Sequence, residues 1–230
     1  MEPTVSGVGV LDKSFCVLAL VAEGPCSLAE LVERSSLSRA TAHRLALALE
    51  THGLLRRLPD GRFALGLHLV ALGRASAEQF PLSEAARPAL TELREATGES
   101  VQLYVRDGSN RVCILALESP HGLRTIVAVG AALPLDLGSA GRVLLGEQAA
   151  TGWLQTVGER EAGVASVSAA VNGQHHELLA AVSVSGPIDR LSRSPGKRYG
   201  PAVLQAANAI QAVLLASTQP GASSSTSPSP

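Results

Sequence analysis

Cysteine is scarce in this chain: Cys16, Cys26 and Cys113 are the three in 230 residues. An odd count, with no signal-like start, excludes a disulfide-held extracellular scaffold. Lysine is nearly missing, at Lys13 and Lys197 alone, while arginine is common. That reflects composition bias and carries no functional signal. There is no excess of charge either, the formal net value being -1. Bulk electrostatics therefore neither favour nor oppose a nucleic-acid partner, although positive residues can still cluster on one face. No apolar run reaches the length of a membrane span. The opening MEPTVSGVGVLDKS lacks a basic region followed by a long apolar stretch, so the cytoplasm is the expected location.

Catalytic and metal signals are missing as well. VSVSGP is not a nucleophile elbow, and GVGVLDKS has the wrong spacing for a phosphate-binding loop. His175 and His176 are adjacent in a polar turn, with no cysteine or carboxylate at convincing metal spacing. The cysteines sit in apolar runs, which points to core packing. Glu159, Arg160 and Glu161 read as a solvated bend from which Glu159 could reach a ligand. No enzyme activity, cofactor or metal is expected.

What is present is a 46% apolar share, ample for a buried core in one or two domains. After a flexible lead at 1–9, Leu11, Phe15, Leu18 and Val21 recur at helical spacing and predict a buried stripe. Gly24 and Pro25 break that helix. Ser27 is placed to cap a short second helix, with Glu30 in the capping-box position. Ser38 is placed to cap a third, SRATAHRLALALETH, which Gly53 stops. Within it, Ala40, Leu45, Leu47 and Leu49 are expected inward, and Ser38, Arg39, Thr41, Ala42, His43 and Arg44 outward. LLRRL and RFALG then flank PDG, a hairpin signal. Residues 10–66 thus form one unit, and LHLVALGRASAEQF, residues 67–80, a linker helix.

The second domain spans 81–216. It opens with a helix ending at Gly98, in which Pro88 marks a break or kink. SVQLYVRDG, NRVCILALESP, GLRTIVAVG, VASVSAAV and ELLAAVSVSGPI read as strands, and a closing helix follows. The overall class is α+β, a sheet with helices on a face. Residues 217–230 are low complexity and expected to be disordered.

A short helix, a tight turn and a longer helix can place the N-terminal end of the last in the major groove. Ser38, Arg39, Thr41, His43 and Arg44 would face DNA there. Arg56, Arg57 and Arg62 would arm the hairpin against the backbone or minor groove. The pattern by itself leaves open an ordinary helical domain with exposed serines and arginines. In the second domain, Ser183 and Ser185 share one strand face, and Ser166 and Ser168 repeat the pattern. Such a hydroxyl-lined face suits a polar ligand or water, or serines bonded to backbone or solvent.

Several separate stretches, in order across about residues 8–216, resemble the IclR family of bacterial transcription regulators. They are LDKSFCVLALV, SLAELVERSSLSRATAHRLALALETHGLL, GRFALG, TGESVQLYVRDG, GSAGRVLL, GEREAGVASVSAAV and LLAAVSVSGPIDRL. The wording is similar to an actinobacterial branch associated with amino-acid metabolism, including control of leucine biosynthesis. The resemblance implies an N-terminal winged helix-turn-helix, a linker helix and a C-terminal GAF-like effector-binding domain. It implies a ligand-responsive repressor of metabolic genes, acting as a homodimer or tetramer on a palindromic double-stranded DNA operator. A metabolite-sensing module that has lost DNA binding is the alternative. In the pocket it implies Ser139 and Ala140 as backbone donors to a ligand carboxylate, with Ser183 and Ser185 donating hydroxyls. Thr156 and Ser166 stand where small-acid-binding relatives carry aspartate and cysteine, which argues against a glyoxylate-like or pyruvate-like effector. EQAATGWLQTV also replaces a longer helical passage of the family.

Overall fold

The computed structural model describes residues 6–78 and 81–217. The chain forms two compact units, Met1–Phe80 and Pro81–Pro230.

The first unit contains α1 (Gly9–Ala22), α2 (Leu28–Ser35), α3 (Arg39–Thr51), β1 (Leu55–Arg57), β2 (Phe63–Leu65) and α4 (His68–Glu78). Its turns follow local chemistry. Ser27 accepts from the Glu30 N–H, and Glu30 accepts from the Ser27 N–H, completing a capping box at α2. Those hydrogen bonds from Ser27 hold the Glu30 carboxyl below its ordinary range. The carboxylate bond is thus present above the ordinary carboxylate pKa and is lost as pH falls through the lowered one. Gly53 adopts φ +69 after α3, and Gly61 adopts φ +84 where PDG turns the hairpin. Gly66 meets the end of α3 so closely that a Cβ there would overlap the Gly53 carbonyl. Paired N–H to carbonyl bonds between Cys26 and Phe63 fix the hairpin to the chain just before α2.

The core joins Val17, Val21, Cys26, Leu31, Ala46, Leu49, Leu55 and Phe63. Two expected inward stripes are displaced. On α1, Val17 and Val21 are buried with Leu18 packed against them, while Leu11 and Phe15 face outward. On α3, Ala42, Leu45, Ala46 and Leu49 are buried, and Ala40 and Leu47 are exposed. Alanines and leucines occupy most positions of α3, so its apolar pattern does not set the phase. Contacts with α1 and β1 do. In the lead, Gly9 already belongs to α1, and Ser6 donates from its N–H and Oγ to Asp12.

The second unit contains α5 (Leu82–Thr97), β3 (Ser100–Asp107), β4 (Asn110–Leu117), β5 (Ala132–Pro134), α6 (Ser139–Leu144), β6 (Leu154–Val157), β7 (Val164–Asn172), β8 (Leu178–Pro187), α7 (Ile188–Leu191) and α8 (Pro195–Ser217). The strands form one antiparallel sheet in the order β5-β4-β3-β8-β7-β6. One face packs on α5 and α8 through Leu90, Leu103, Val167, Val182, Val184, Val203 and Ile210. The other face carries α6 and a smaller core around Tyr104, Cys113, Val143 and Leu144. Helix α5 runs through Pro88 without ending. GLRTIVAVG is not a strand. Residues 122–130 form irregular chain, anchored by the Thr125 carbonyl accepting from Ser100 Oγ and by buried Val127. Its last residue reaches β4, the Gly130 N–H donating to the Cys113 carbonyl at 2.7 Å, and ladder pairing with β4 begins at β5. Edge strand β6 has no counterpart in the sequence expectation. It lies inside the shortened passage, and its pairing with β7 forms it. Residues 1–5 of the expected lead, 79–80 of the linker and 218–230 of the tail lie outside the described residues.

Candidate functional site

The α2–turn–α3 pair is built to expose one end of α3. Ser36 takes the left-handed conformation (φ 56) after α2, turning the chain. Ser38 then caps α3, its Oγ accepting from the Thr41 N–H and lying 2.9 Å from Thr41 Oγ1. With 3.6 residues per turn, Arg39 and His43 stack on one side of the exposed arc and Ala40 and Arg44 on the other. All four are exposed, while Ala42, expected outward, is buried. Arg39, His43 and Arg44 have no hydrogen-bond or ion-pair partner among the described residues, leaving their donors to a ligand. Ser38 and Thr41 serve the cap first.

The hairpin arginines are less free than their sequence positions suggest. Arg57 lies over the Phe63 ring, 4.3 Å from its centroid, donates to the Gly61 carbonyl and stands 3.6 Å from Glu50. It braces the hairpin against α3. Arg62 Nε donates to Asp60 at 2.7 Å, and Arg56 Nε to the Leu65 carbonyl at 3.2 Å. Arg56 and Arg62 remain exposed, with their terminal nitrogens at the surface.

The expected effector residues converge in the second unit. Register pairs Ser166 with Ser185 and Ser168 with Ser183, so four hydroxyls share one sheet face while Val182 and Val184 take the other. The N-terminus of α6 meets this face. Ser139 Oγ lies 2.7 Å from Ser166 Oγ and 2.8 Å from Ser168 Oγ. The Ser139 N–H donates to Thr156 Oγ1 at 3.0 Å, and that oxygen is 3.0 Å from Ser166 Oγ. Ser168 donates to Ser183, and Ser185 to Gln102. The hydroxyls thus satisfy one another, which resolves the cost of placing them in a core. The cavity they line with Ala140 measures about 20 Å³, space on the scale of one water molecule. Ser139, placed as a backbone donor to a ligand carboxylate, spends its N–H on Thr156 here.

Three residues beyond the sequence expectation also line the pocket, and two of them, both arginines, give it its charge. Arg111 is 2% exposed, donates to the Pro134 and Leu137 carbonyls, and lies 5.4 Å from the Tyr104 ring centroid. Its Nε is buried without a hydrogen bond, and burial pushes its pKa down. No carboxylate among the described residues stands within ion-pair distance of it. Arg160 also lines the cavity, 3.7 Å from Glu161, so the bend at 159–161 is not simply solvated. Glu159 accepts from the Gly138 N–H and from Arg142. Tyr104 is the third, its phenol pKa raised by burial. A signal for Arg111 was in the sequence: along NRVCILAL it alternates with Cys113 and Leu115, both buried. The cysteines are free, Cys26 and Cys113 buried and Cys16 half-buried, and burial lifts the Cys113 thiol to about 11. Such a thiol is a packing group rather than a nucleophile.

Comparison with known proteins assigns both units. The profile of the IclR helix-turn-helix domain matches residues 10–59. The profile of the bacterial transcriptional regulator IclR C-terminal domain matches residues 74–151 and 145–212. The chain belongs to the IclR family. It is a DNA-binding transcriptional regulator with an N-terminal helix-turn-helix domain and a C-terminal effector-binding domain. The two C-terminal matches overlap at 145–151. Among IclR relatives, the transcriptional repressor IclR of Escherichia coli is 25% identical, with 90% of each chain covered. Among solved structures, an IclR homolog of Microbacterium hydrocarbonoxydans complexed with 4-hydroxybenzoate superposes with a TM-score of 0.76. Identity is 19%, over 89% of this chain and 98% of that one. The IclR of Thermotoga maritima gives 0.73 at 20% identity, over 90% and 98%. At these identities the structures establish the fold. Among the described residues, no helix is long and apolar enough to cross a membrane, and no cluster of metal-ligating side chains occurs.

Proposed function

We propose that this IclR-family regulator is a repressor whose DNA binding is set by a small anionic effector. The observation that carries the anionic assignment is Arg111, a buried guanidinium with an unsatisfied Nε and, among the described residues, no carboxylate within ion-pair distance. A buried cation held by carbonyls and an aromatic ring without a paired anion is costly, and a ligand carboxylate supplies the missing charge. Arg160 adds a second positive group, and Ser139, Ala140, Thr156, Ser166, Ser183 and Ser185 line the same cavity. Any ligand larger than a water molecule needs the wall to yield. The turn holding Arg160 lies between Gly158 (φ +73) and Gly163 (φ +86), positions suited to that movement. The relative complexed with 4-hydroxybenzoate supports a carboxylate ligand by analogy. The name of the Escherichia coli relative supports repression. The likeness to the actinobacterial branch makes an acid of amino-acid metabolism, and genes of leucine biosynthesis, the first to test.

Arg39, His43 and Arg44 read the operator, with Ser38 and Thr41 at the helix start and Arg56 and Arg62 on the phosphate backbone. Arg57 supports the wing. The protein acts as a homodimer on a palindromic site, dimers being free to pair into tetramers. Apolar side chains on α1 and around the start of α4 support association with a second copy: Val10 and Phe15 are 64% and 60% exposed, and Leu67 and Val70 are 77% and 70% exposed. Effector binding biases the spacing of the two reading heads against the half-sites. A sensing module without DNA binding is not favoured, because the reading helix keeps two unpaired arginines on its exposed arc.

The experiment is a selection of DNA fragments from the source genome with the purified full chain. Enrichment of fragments sharing an inverted repeat is expected, and no enrichment over input counts against the operator reading. Sites beside leucine-biosynthetic genes would support that assignment, and sites elsewhere would replace it.

A further inference from the structure

The hydroxyl pocket is not the only space beside α6. A cleft of about 330 Å³ opens at the β6 edge of the sheet, between the C-terminal end of α6 and α8. That is within the range of small-molecule sites, about 300–1,000 Å³. Its rim is the segment from Gly146 to Leu154, where the two family-profile matches meet.

We infer that this cleft is a second ligand site, for an uncharged, hydroxyl-rich molecule of the monosaccharide or polyol class. Its polar lining is almost wholly neutral: Gln148, Asn172, Asn208 and Gln211 contribute amides, and His176 an imidazole. An amide carries both a donor and an acceptor, the complement of a hydroxyl group, although Gln211 Oε1 already accepts from the Asn172 N–H at 3.3 Å. The only acidic lining residue, Glu147, is engaged by Arg142, whose Nε donates to it at 2.8 Å. That pairing holds the Glu147 carboxyl below its ordinary range and leaves no free charge for an ionic ligand. The remaining wall is apolar: Val143, Leu178 and Leu204, with the indole of Trp153. Trp153 is seated against α8 so closely that a Cβ at Gly200 would overlap its ring. A fixed aromatic ring beside several amides suits the paired apolar and hydroxyl faces of a pyranose. His176 is held at φ +61 at the cleft edge, a conformation a chain adopts in a tight turn. This site shares no lining residue with the hydroxyl pocket, so the two assignments stand or fall separately.

Trp153 is the single tryptophan of the chain, so intrinsic emission reports on this cleft directly. The full chain is titrated with methyl glucosides, methyl galactosides, xylose and mannitol, and separately with benzoate. At least one neutral probe is expected to shift the emission saturably at millimolar concentration. Asn208→Leu and His176→Asn are each expected to weaken that response about tenfold, the effect of one lost hydrogen bond in a desolvated site. Ser183→Ala should leave it intact. The inference is overturned by a flat response to every neutral probe, by a response indifferent to Asn208→Leu, or by one that benzoate reproduces and Asn208→Leu removes.

Discussion

Replacing Arg39 and Arg44 together by alanine is expected to lower affinity for the selected operator by about a hundredfold or more, at a discrimination of roughly 1–3 kcal/mol per arginine pairing with a base. Both side chains stand exposed on α3 with no partner among the described residues, so their removal costs little structure. Far-ultraviolet circular dichroism should superpose on the parent protein. The single variants separate the roles. An arginine that reads a base loses specific binding more than non-specific binding. One that contacts phosphate loses both equally, and reduces the slope of log affinity against log salt by about one. Arg57→Ala is the contrast. Its guanidinium is spent on Phe63, Gly61 and Glu50, so it should act through hairpin stability. A double variant that binds the operator as tightly as the parent would remove α3 from the interface.

The second large effect is expected at Gly141→Ala. A Cβ at this position would overlap the Leu135 carbonyl and fall 2.7 Å from Arg111 Nη1. Neither neighbour gives easily. Leu135 is buried, and Arg111 is tied to the Pro134 and Leu137 carbonyls on either side of it. The methyl therefore pushes α6 from the sheet and strains the arginine that seats it. Overpacking of this kind costs about 2–4 kcal/mol, which should lower the melting temperature of the effector-binding unit by about 5–10 °C. Because Ser139 leads α6 into the hydroxyl network, the same change should abolish the effector response. Operator binding without effector should survive, since the first unit has its own core. A Gly141→Ala protein with unchanged melting and unchanged effector response would refute this account of how α6 is held.

What the sequence made legible was local. The capping box at Ser27 and Glu30, the cap at Ser38, the turn at Gly61 and the stop at Gly98 each depend on a few neighbouring residues. The serine faces of β7 and β8 followed from a period of two, and their cross-strand pairing brought them together. The misses needed tertiary information. The phase of α3 could not be read from a helix filled with alanine and leucine. GLRTIVAVG has the composition of a strand, yet it is held by single anchors such as Thr125 and Val127. Strand β6 exists because β7 offers it an edge. Arg111 is a different case. Strand alternation places its charge on the buried face, in step with Cys113 and Leu115. It contributes most to the electrostatics of the pocket.

The most direct test measures affinity for the selected operator by fluorescence anisotropy, with and without saturating small carboxylates, benzoates and branched-chain keto acids among them. The account predicts tight, salt-dependent binding that at least one carboxylate shifts by about tenfold or more, a coupling of about 1.4 kcal/mol. Its neutral amide counterpart should have no effect, and Arg111→Gln should erase the response. Operator affinity indifferent to every carboxylate, or shifted equally by the neutral amides, would contradict it.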